Sequence, residues 1–283
     1  MRAARVTCCV IAMVTACGSC RLLPVPTSAN VPAAPPVSVG QLVFHSVGFD
    51  LPTDHRLVRE LSAERDDVHR TLGLPYTTEP IHVHLFRDPT AYGEYLEKHF
   101  PSVPTRRAFF VRTDTQLTVY AHWSDRVAED LRHEVAHGYL HATGLELPLW
   151  LDEGLAEYFE VPRGHAGLNR PHLQLLADMM QLDGWRPDLA KLEELTDAAQ
   201  MDQRHYAESW AWVYFLLESE PQRRELLLGY LTDLHEQGAT PPLSRRLARQ
   251  HFEPETTLAE YLVGLKQEVA AGNVATRARP ISK

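Results

Sequence analysis

The stretch SDRVAEDLRHEVAHGYLHATG, residues 124–144, decides how the middle of the chain folds. Its apolar residues recur every four positions, and this period predicts an amphipathic helix. They are Val127, Leu131 and Val135. Ser124 or Asp125 is expected to cap the start of the helix, and Gly144 is expected to end it.

The centre of this helix reads His133-Glu134-Val135-Ala136-His137, an HExxH motif. One turn separates the two histidines, so they lie about 40° apart around the axis and about 6 Å apart along it. Both imidazoles can therefore reach one metal ion, which is how this motif binds zinc. Glu134 lies about 100° round from His133, where its carboxylate can take a proton from water. His141 lies about 12 Å from His133 along the axis, too far to share the ion, and is expected on the polar face.

A second motif, PLWLDEGLAEYF, begins at Pro148 and brings further carboxylates. A catalytic zinc ion takes three protein ligands and keeps one position open. A carboxylate on a second helix can supply the third ligand. Glu153 and Glu157 lie on the same face of that helix, and only one of them is expected to reach the metal because a turn displaces the side chain by about 6 Å.

The HExxH motif followed by WLxEGLAxYF at residues 150–159 resembles the gluzincin metallopeptidases, in particular the peptidase-MA-like domains of bacterial envelopes. In gluzincins the glutamate before the glycine is the third ligand, which corresponds to Glu153 here. The resemblance therefore implies one Zn²⁺ per chain, held by His133, His137 and Glu153. It implies that Glu134 is the general base. Little outside the two motifs can be matched.

Three further residues have expected roles around this metal. Glu157 is expected to accept a hydrogen bond from the second nitrogen of a ligand histidine, and Asp152 can do the same. In several gluzincins a tyrosine at the start of a later helix points at the substrate carbonyl. Tyr206 resembles that tyrosine and is expected to stabilise the oxyanion, with His205 as the alternative donor.

The pattern around the motifs predicts an α+β fold, and the resemblance implies a zincin-like one. Alternating strands and short helices at 41–123 give the N-terminal part of the catalytic domain, and 124–275 is mainly helical and carries the zinc site. Residues 276–283 are expected to form a flexible tail. The strand at 117–121 is expected to be a sheet edge to which a peptide substrate adds an antiparallel strand.

The N-terminus reads as a targeting segment. Residues 1–16 combine two arginines with an apolar run too short to span a bilayer, which is typical of a signal peptide. The letters VTAC ending at Cys17 resemble a bacterial lipoprotein cleavage box, which implies lipidation of Cys17. Residues 17–40 are rich in proline and alanine and are expected to form a spacer. We expect a lipid-anchored, extracytoplasmic protein of the cell envelope; the alternative is plain secretion after cleavage near Ala29.

Composition restricts the remaining choices. The chain has 28 Lys+Arg against 37 Asp+Glu, a net charge of -9, which excludes nucleic acid as a main partner. All four cysteines lie in the first twenty residues, so no cysteine zinc site is expected further on. The first hypothesis is a zinc metallopeptidase acting on peptide or protein substrates. The alternatives are a catalytically silent binding or assembly module, which the intact Glu134 disfavours, and a zinc hydrolase of non-peptide substrates.

Overall fold

The computed structural model of the protein covers most of the chain. The residues it describes are 35–101, 106–238, 240–249 and 254–272. The segments that lie outside the described residues include the predicted signal peptide at 1–16, Cys17, most of the predicted linker at 17–40 and the predicted tail at 276–283.

The chain forms two compact units that divide between Gly144 and Leu145. The first unit combines a sheet with helices and the second unit is helical, so the predicted α+β class is confirmed. Within the described ranges, no helix has the length and apolar character needed to cross a membrane.

Five strands of the first unit form one mixed sheet, in the order β1-β2-β3-β5-β4. The strands are β1 (Val37–Val39), β2 (Leu42–Val47), β3 (Ile81–Phe86), β4 (Ala108–Arg112) and β5 (Leu117–His122). β2, β3 and β5 run parallel, whereas β1 and β4 pair antiparallel at the two ends of the sheet. β1 falls in the stretch that the sequence assigns to the linker, so ordered pairing begins before Gln41.

The prediction that residues 117–121 form a sheet edge is wrong. β5 pairs in parallel with β3 on one side and antiparallel with β4 on the other. Both rows of its backbone groups are therefore used within the sheet, and a peptide cannot add beside it. The strand at this end of the sheet is β4.

Three helices pack on this sheet. They are α1 (Arg56–Leu72), α2 (Pro89–His99) and α3 (Val127–Ala142). The residue before α3 is Arg126, which makes no side-chain cap, so neither Ser124 nor Asp125 is the N-cap. Thr143 follows α3, and Gly144 then adopts a φ of 78°, which suits glycine and ends the helix as predicted.

A glycine brings α3 close to the sheet. A Cβ at Gly138 would lie 2.9 Å from Cγ2 of Ile81, so the helix can approach β3 closely only because that side chain is missing. α1 packs beside α3, where the Tyr139 hydroxyl donates to the Leu61 carbonyl over 3.0 Å. The opposite face of the sheet is covered in part by α2. The buried residues there are Phe86, Tyr92, Leu96, Phe109, Val111 and Tyr120.

The second unit is built around one buried helix, α7. Its helices are α4 (Leu149–Phe159), α5 (Arg170–Leu182), α6 (Leu189–Glu193), α7 (Gln203–Glu218), α8 (Pro221–Gln237), α9 (Leu243–Ala248) and α10 (Pro254–Ala270), with a short 3₁₀ turn at Ala198–Gln200. α4 crosses α7 at Gly154, where a Cβ would lie 2.5 Å from the Ser209 carbonyl oxygen. The glycine of the WLxEGLAxYF pattern therefore allows these two helices to touch.

Candidate metal centre

The Nε2 atoms of His133 and His137 lie 3.3 Å apart on α3. Two nitrogens that each bind one zinc ion at about 2.0–2.1 Å with a tetrahedral angle lie about 3.3–3.4 Å from each other. The two rings are inclined by 74°, with centroids 5.0 Å apart, so they meet at their nitrogen edges and do not stack. The pair therefore already has the spacing that one shared ion requires.

The sheet fixes the second histidine more firmly than the first. His137 is buried, and its ring lies nearly parallel to Phe110 on β4, with centroids 6.0 Å apart. His133 and Glu134, nearer the start of α3, are only half-buried. The motif therefore has one side chain packed on the sheet and two on a more open part of the helix surface, as access of water and substrate requires.

His141 is buried, so it does not lie on a polar solvent face as the sequence indicates. Its ring stacks on Phe110, and Arg112 Nη1 lies 3.1 Å from its Nδ1. Because a guanidinium can only donate, Nδ1 of His141 accepts and the proton of the neutral ring lies on Nε2. This hydrogen bond orients the imidazole one turn beyond His137.

α1 anchors the back of α3 through charged groups that the motif does not indicate. Arg132 and Glu60 form an ion pair of 2.7 Å, and little of the Arg132 side chain is exposed. Glu64, one turn along α1, is buried, and within the described residues neither of its oxygens has a hydrogen-bond partner. Burial raises the pKa of Glu64 well above its ordinary value, although the Arg132 guanidinium acts in the opposite direction. The sequence shows only the apolar spacing of this helix.

The second unit contributes the carboxylates. Asp152, Glu153 and Glu157 are all buried on α4. A buried carboxylate is strongly disfavoured unless cations or hydrogen-bond donors compensate for the lost water. Oε2 of Glu157 lies 2.7 Å from Nε2 of His172 on α5, so its partner in this unit is a residue that the sequence argument did not single out.

The two predicted oxyanion donors differ in their surroundings. Tyr206 is half-buried in the first turn of α7. His205 is held within its own helix start, because its Nε2 accepts from Arg204 and its Nδ1 lies 2.8 Å from the Asp202 carboxylate. Burial lowers the pKa of His205, followed by the neighbouring Arg204. Both ring nitrogens are therefore occupied, which disfavours His205 as the donor to a substrate.

Buried histidine and carboxylate side chains of this protein can hold a metal ion. In the part of the chain that the structure describes, the sets that qualify are His133, His137 and Glu153; His137, His141 and Asp152; and His133, Glu157 and Glu160. Imidazole with carboxylate is a ligand set that suits zinc and other first-row divalent ions, so the identity of the ion is not fixed by these residues alone.

Residues 127–238 match a protein family described as "Protein of unknown function (DUF1570)". The match begins at the first residue of α3 and ends just after α8, so it includes the HExxH motif, Glu153 and Tyr206. No curated protein matches the chain. The family description assigns no activity, and the chemistry must be argued from the residues.

Proposed function

We propose that the protein is a zinc-dependent metallopeptidase of the gluzincin type. The observation that carries the proposal is the 3.3 Å spacing of the His133 and His137 Nε2 atoms, which matches two ligands of one tetrahedral ion. Two histidines and a carboxylate are the ligands of one class of catalytic zinc site, and they leave one position open. A structural zinc site has no need of a glutamate beside the first histidine, so Glu134 favours a hydrolase.

Glu153 is proposed as the third ligand. It is as deeply buried as the neighbouring Asp152 and lies one turn before Glu157 on α4. Glu157 already has His172 at 2.7 Å, a partner that helps to compensate for its burial. A metal cation would play that part for Glu153. Glu157 and Asp152 then act on the orientation of the ligands and not as ligands themselves.

The chain's own groups have distinct tasks in peptide hydrolysis. A zinc ion bound to His133, His137 and Glu153 supplies Lewis acidity, which polarises a carbonyl and lowers the pKa of water. Glu134 takes the proton from the attacking water and gives it to the leaving amine. The Tyr206 hydroxyl donates to the carbonyl oxygen as negative charge develops there.

Metal analysis tests the ligand set. The full chain, with Cys8, Cys9, Cys17 and Cys20 changed to serine to remove thiolate ligands, is dialysed against metal-free buffer and its zinc is measured. We expect about one tightly held zinc per chain, lost in His137→Ala and in Glu153→Gln. His165→Ala, at an exposed loop histidine outside every candidate set, is the control and should keep the zinc. Full retention of zinc in both ligand variants would overturn the proposed set.

A peptide-library cleavage screen tests the activity. Glu134→Gln should keep its zinc but lose hydrolysis by about 10²–10⁴-fold, because it removes the base and leaves the ligands. Zinc binding without cleavage in the wild type would instead favour the envelope binding module. Cleavage that survives in Glu134→Gln would contradict the role of this residue.

The proposed location is the outer side of a bacterial membrane, with the chain anchored by a lipid at Cys17. The support is the N-terminal sequence, which combines a short apolar run with a lipoprotein-like box ending at that cysteine. A peptide or protein substrate in the cell envelope would then meet the metal centre without crossing a membrane.

A further inference from the structure

Three histidines gather on the face of the sheet opposite to α3. His45 lies on β2, and His82 and His84 lie on β3. Because side chains alternate along a strand, these three project away from the face on which Ile81 meets Gly138 of α3. The register pairs His45 with His84 across the two parallel strands. We call this group the sheet histidines.

The rings are in close contact. Nε2 of His45 lies 2.9 Å from Nδ1 of His82. The His45 and His84 rings are parallel within 8°, with centroids 4.4 Å apart. His84 in turn stacks on Tyr120, at 5.0 Å, where the α2 cluster begins. All three histidines are half-buried, so solvent and small ions can reach them.

The sheet histidines are poor bases. Burial lowers the pKa of His82, and burial together with His82 lowers the pKa of His45. Burial and the two neighbouring imidazoles lower the pKa of His84 to about 3. The rings are therefore neutral over a wide pH range, and each keeps a nitrogen lone pair. Neutral imidazole is the form that binds metal ions, and a low pKa reduces competition by protons.

We propose that His45, His82 and His84 form a second metal site that takes a transition-metal ion preferring imidazole nitrogen, such as Cu²⁺ or Zn²⁺. The 2.9 Å between the His45 and His82 nitrogens must widen to only about 3.3–3.4 Å for both to bind one ion. Side chains at positions i and i+2 of a strand start about 6.6 Å apart on one face, within reach of a common ion. His84 joins by turning its ring away from the parallel stack with His45.

This site is independent of the proposed zinc centre. The α3 histidines lie on a helix packed against the Ile81 face, whereas the sheet histidines project from the other face of the same strands. The chemistry also differs, because the sheet histidines offer nitrogen ligands alone. Three neutral nitrogens favour Cu²⁺, which stands highest in the first-row affinity order, over Mg²⁺ or Ca²⁺.

The test uses Cu²⁺ as the probe. The background is the full chain with the four cysteines changed to serine and with His133→Ala and His137→Ala, so that neither thiolates nor the α3 pair can bind. We expect one Cu²⁺ per chain by titration, with an electron paramagnetic resonance spectrum showing imidazole nitrogens. His45→Gln and His82→Gln should each weaken binding by about tenfold or more, since even residues that only support a ligand have effects of that size.

His165→Gln is the matched control, because this histidine is exposed in a loop of the other unit. It should leave the affinity and the spectrum unchanged. Circular dichroism of each variant separates loss of binding from loss of folding, and His84→Gln gives a third variant if one of the others fails to fold. The proposal is overturned if the background protein takes up no Cu²⁺, or if binding is unchanged in the folded His45 and His82 variants.

Discussion

Nε2 of His172 lies 2.7 Å from Oε2 of Glu157, and both side chains are buried. At this distance the imidazole N–H donates to the carboxylate, which joins α5 to α4. Asn169, which caps α5, donates to Glu160 at the end of α4 over 2.9 Å. Two polar links therefore fix the loop between the helices, one turn beyond Glu153.

His172→Phe should destabilise the protein by about 1–3 kcal/mol, because Glu157 stays buried and loses a donor. Phenylalanine keeps much of the ring volume, so the loss reports on the hydrogen bond more than on a cavity. The free energy of unfolding from urea titration measures this. His172→Gln, whose amide can still donate, should recover part of the loss. Equal stability of His172→Phe and wild type would show that the pair makes no net contribution.

Gly154→Ala should destabilise the protein by about 1–3 kcal/mol or more, because the added Cβ would lie 2.5 Å from the Ser209 carbonyl oxygen. A backbone atom cannot move aside without shifting α4 against α7. The control is Gly229→Ala on α8, where no atom lies within 4 Å and the helix should gain about 0.5–1 kcal/mol. Thermal unfolding of the two variants beside wild type gives opposite signs if this packing argument holds, and equal signs contradict it.

The parts that the sequence could predict are those set by local geometry. The 3.6-residue period is enough to place α3 and to bring His133 and His137 to the same side of it. The order of the strands is not local: β4 and β5 are neighbours in sequence, yet β5 inserts beside β3, and its buried pattern looks the same at an edge or inside. The partnership of His172 with Glu157 depends on how α5 packs on α4, and no spacing in the sequence carries that information.

The stability of the protein should fall as pH rises through the titration of Glu208. Burial raises the pKa of this carboxyl from 4.5 to about 7, although the Asp188 amide, 2.6 Å away, acts in the opposite direction. Between these two pH values the folded chain holds a proton that the unfolded chain has released, so raising the pH favours unfolding. The loss is about 3 kcal/mol by linkage and is complete above about pH 7.

Glu208→Gln should remove this dependence, because glutamine keeps an acceptor for the Asp188 amide and does not ionise. Urea unfolding at about pH 5 and about pH 8 measures it, and the difference between the two pH values should be smaller by about 2–3 kcal/mol in the variant. Glu194→Gln, at an exposed position, should behave as wild type. The same pH dependence in Glu208→Gln and wild type would exclude this carboxyl as the cause.

Cys17→Ala should abolish incorporation of radiolabelled palmitate when the chain is expressed in a bacterial host. The reason is that a lipoprotein signal ends in the one cysteine that is lipidated after cleavage, and Cys17 follows the VTA stretch. Cys20→Ala, three residues later, is the control and should be labelled as strongly as wild type. A mature N-terminus near Ala29, with no label in the wild type, would show plain secretion instead.

Tyr206→Phe should lower kcat by about 10²–10³-fold and leave KM nearly unchanged, because the hydroxyl is proposed to bind charge that develops only in the transition state. The position is half-buried in the first turn of α7, so removing one hydroxyl should not disturb folding. Kinetics on the best peptide from the cleavage screen measure the effect, with zinc content checked in parallel. Tyr76→Phe, an exposed tyrosine of the other unit, should match wild type. A raised KM with normal kcat would assign Tyr206 to substrate binding alone, and unchanged kinetics would remove it from the mechanism.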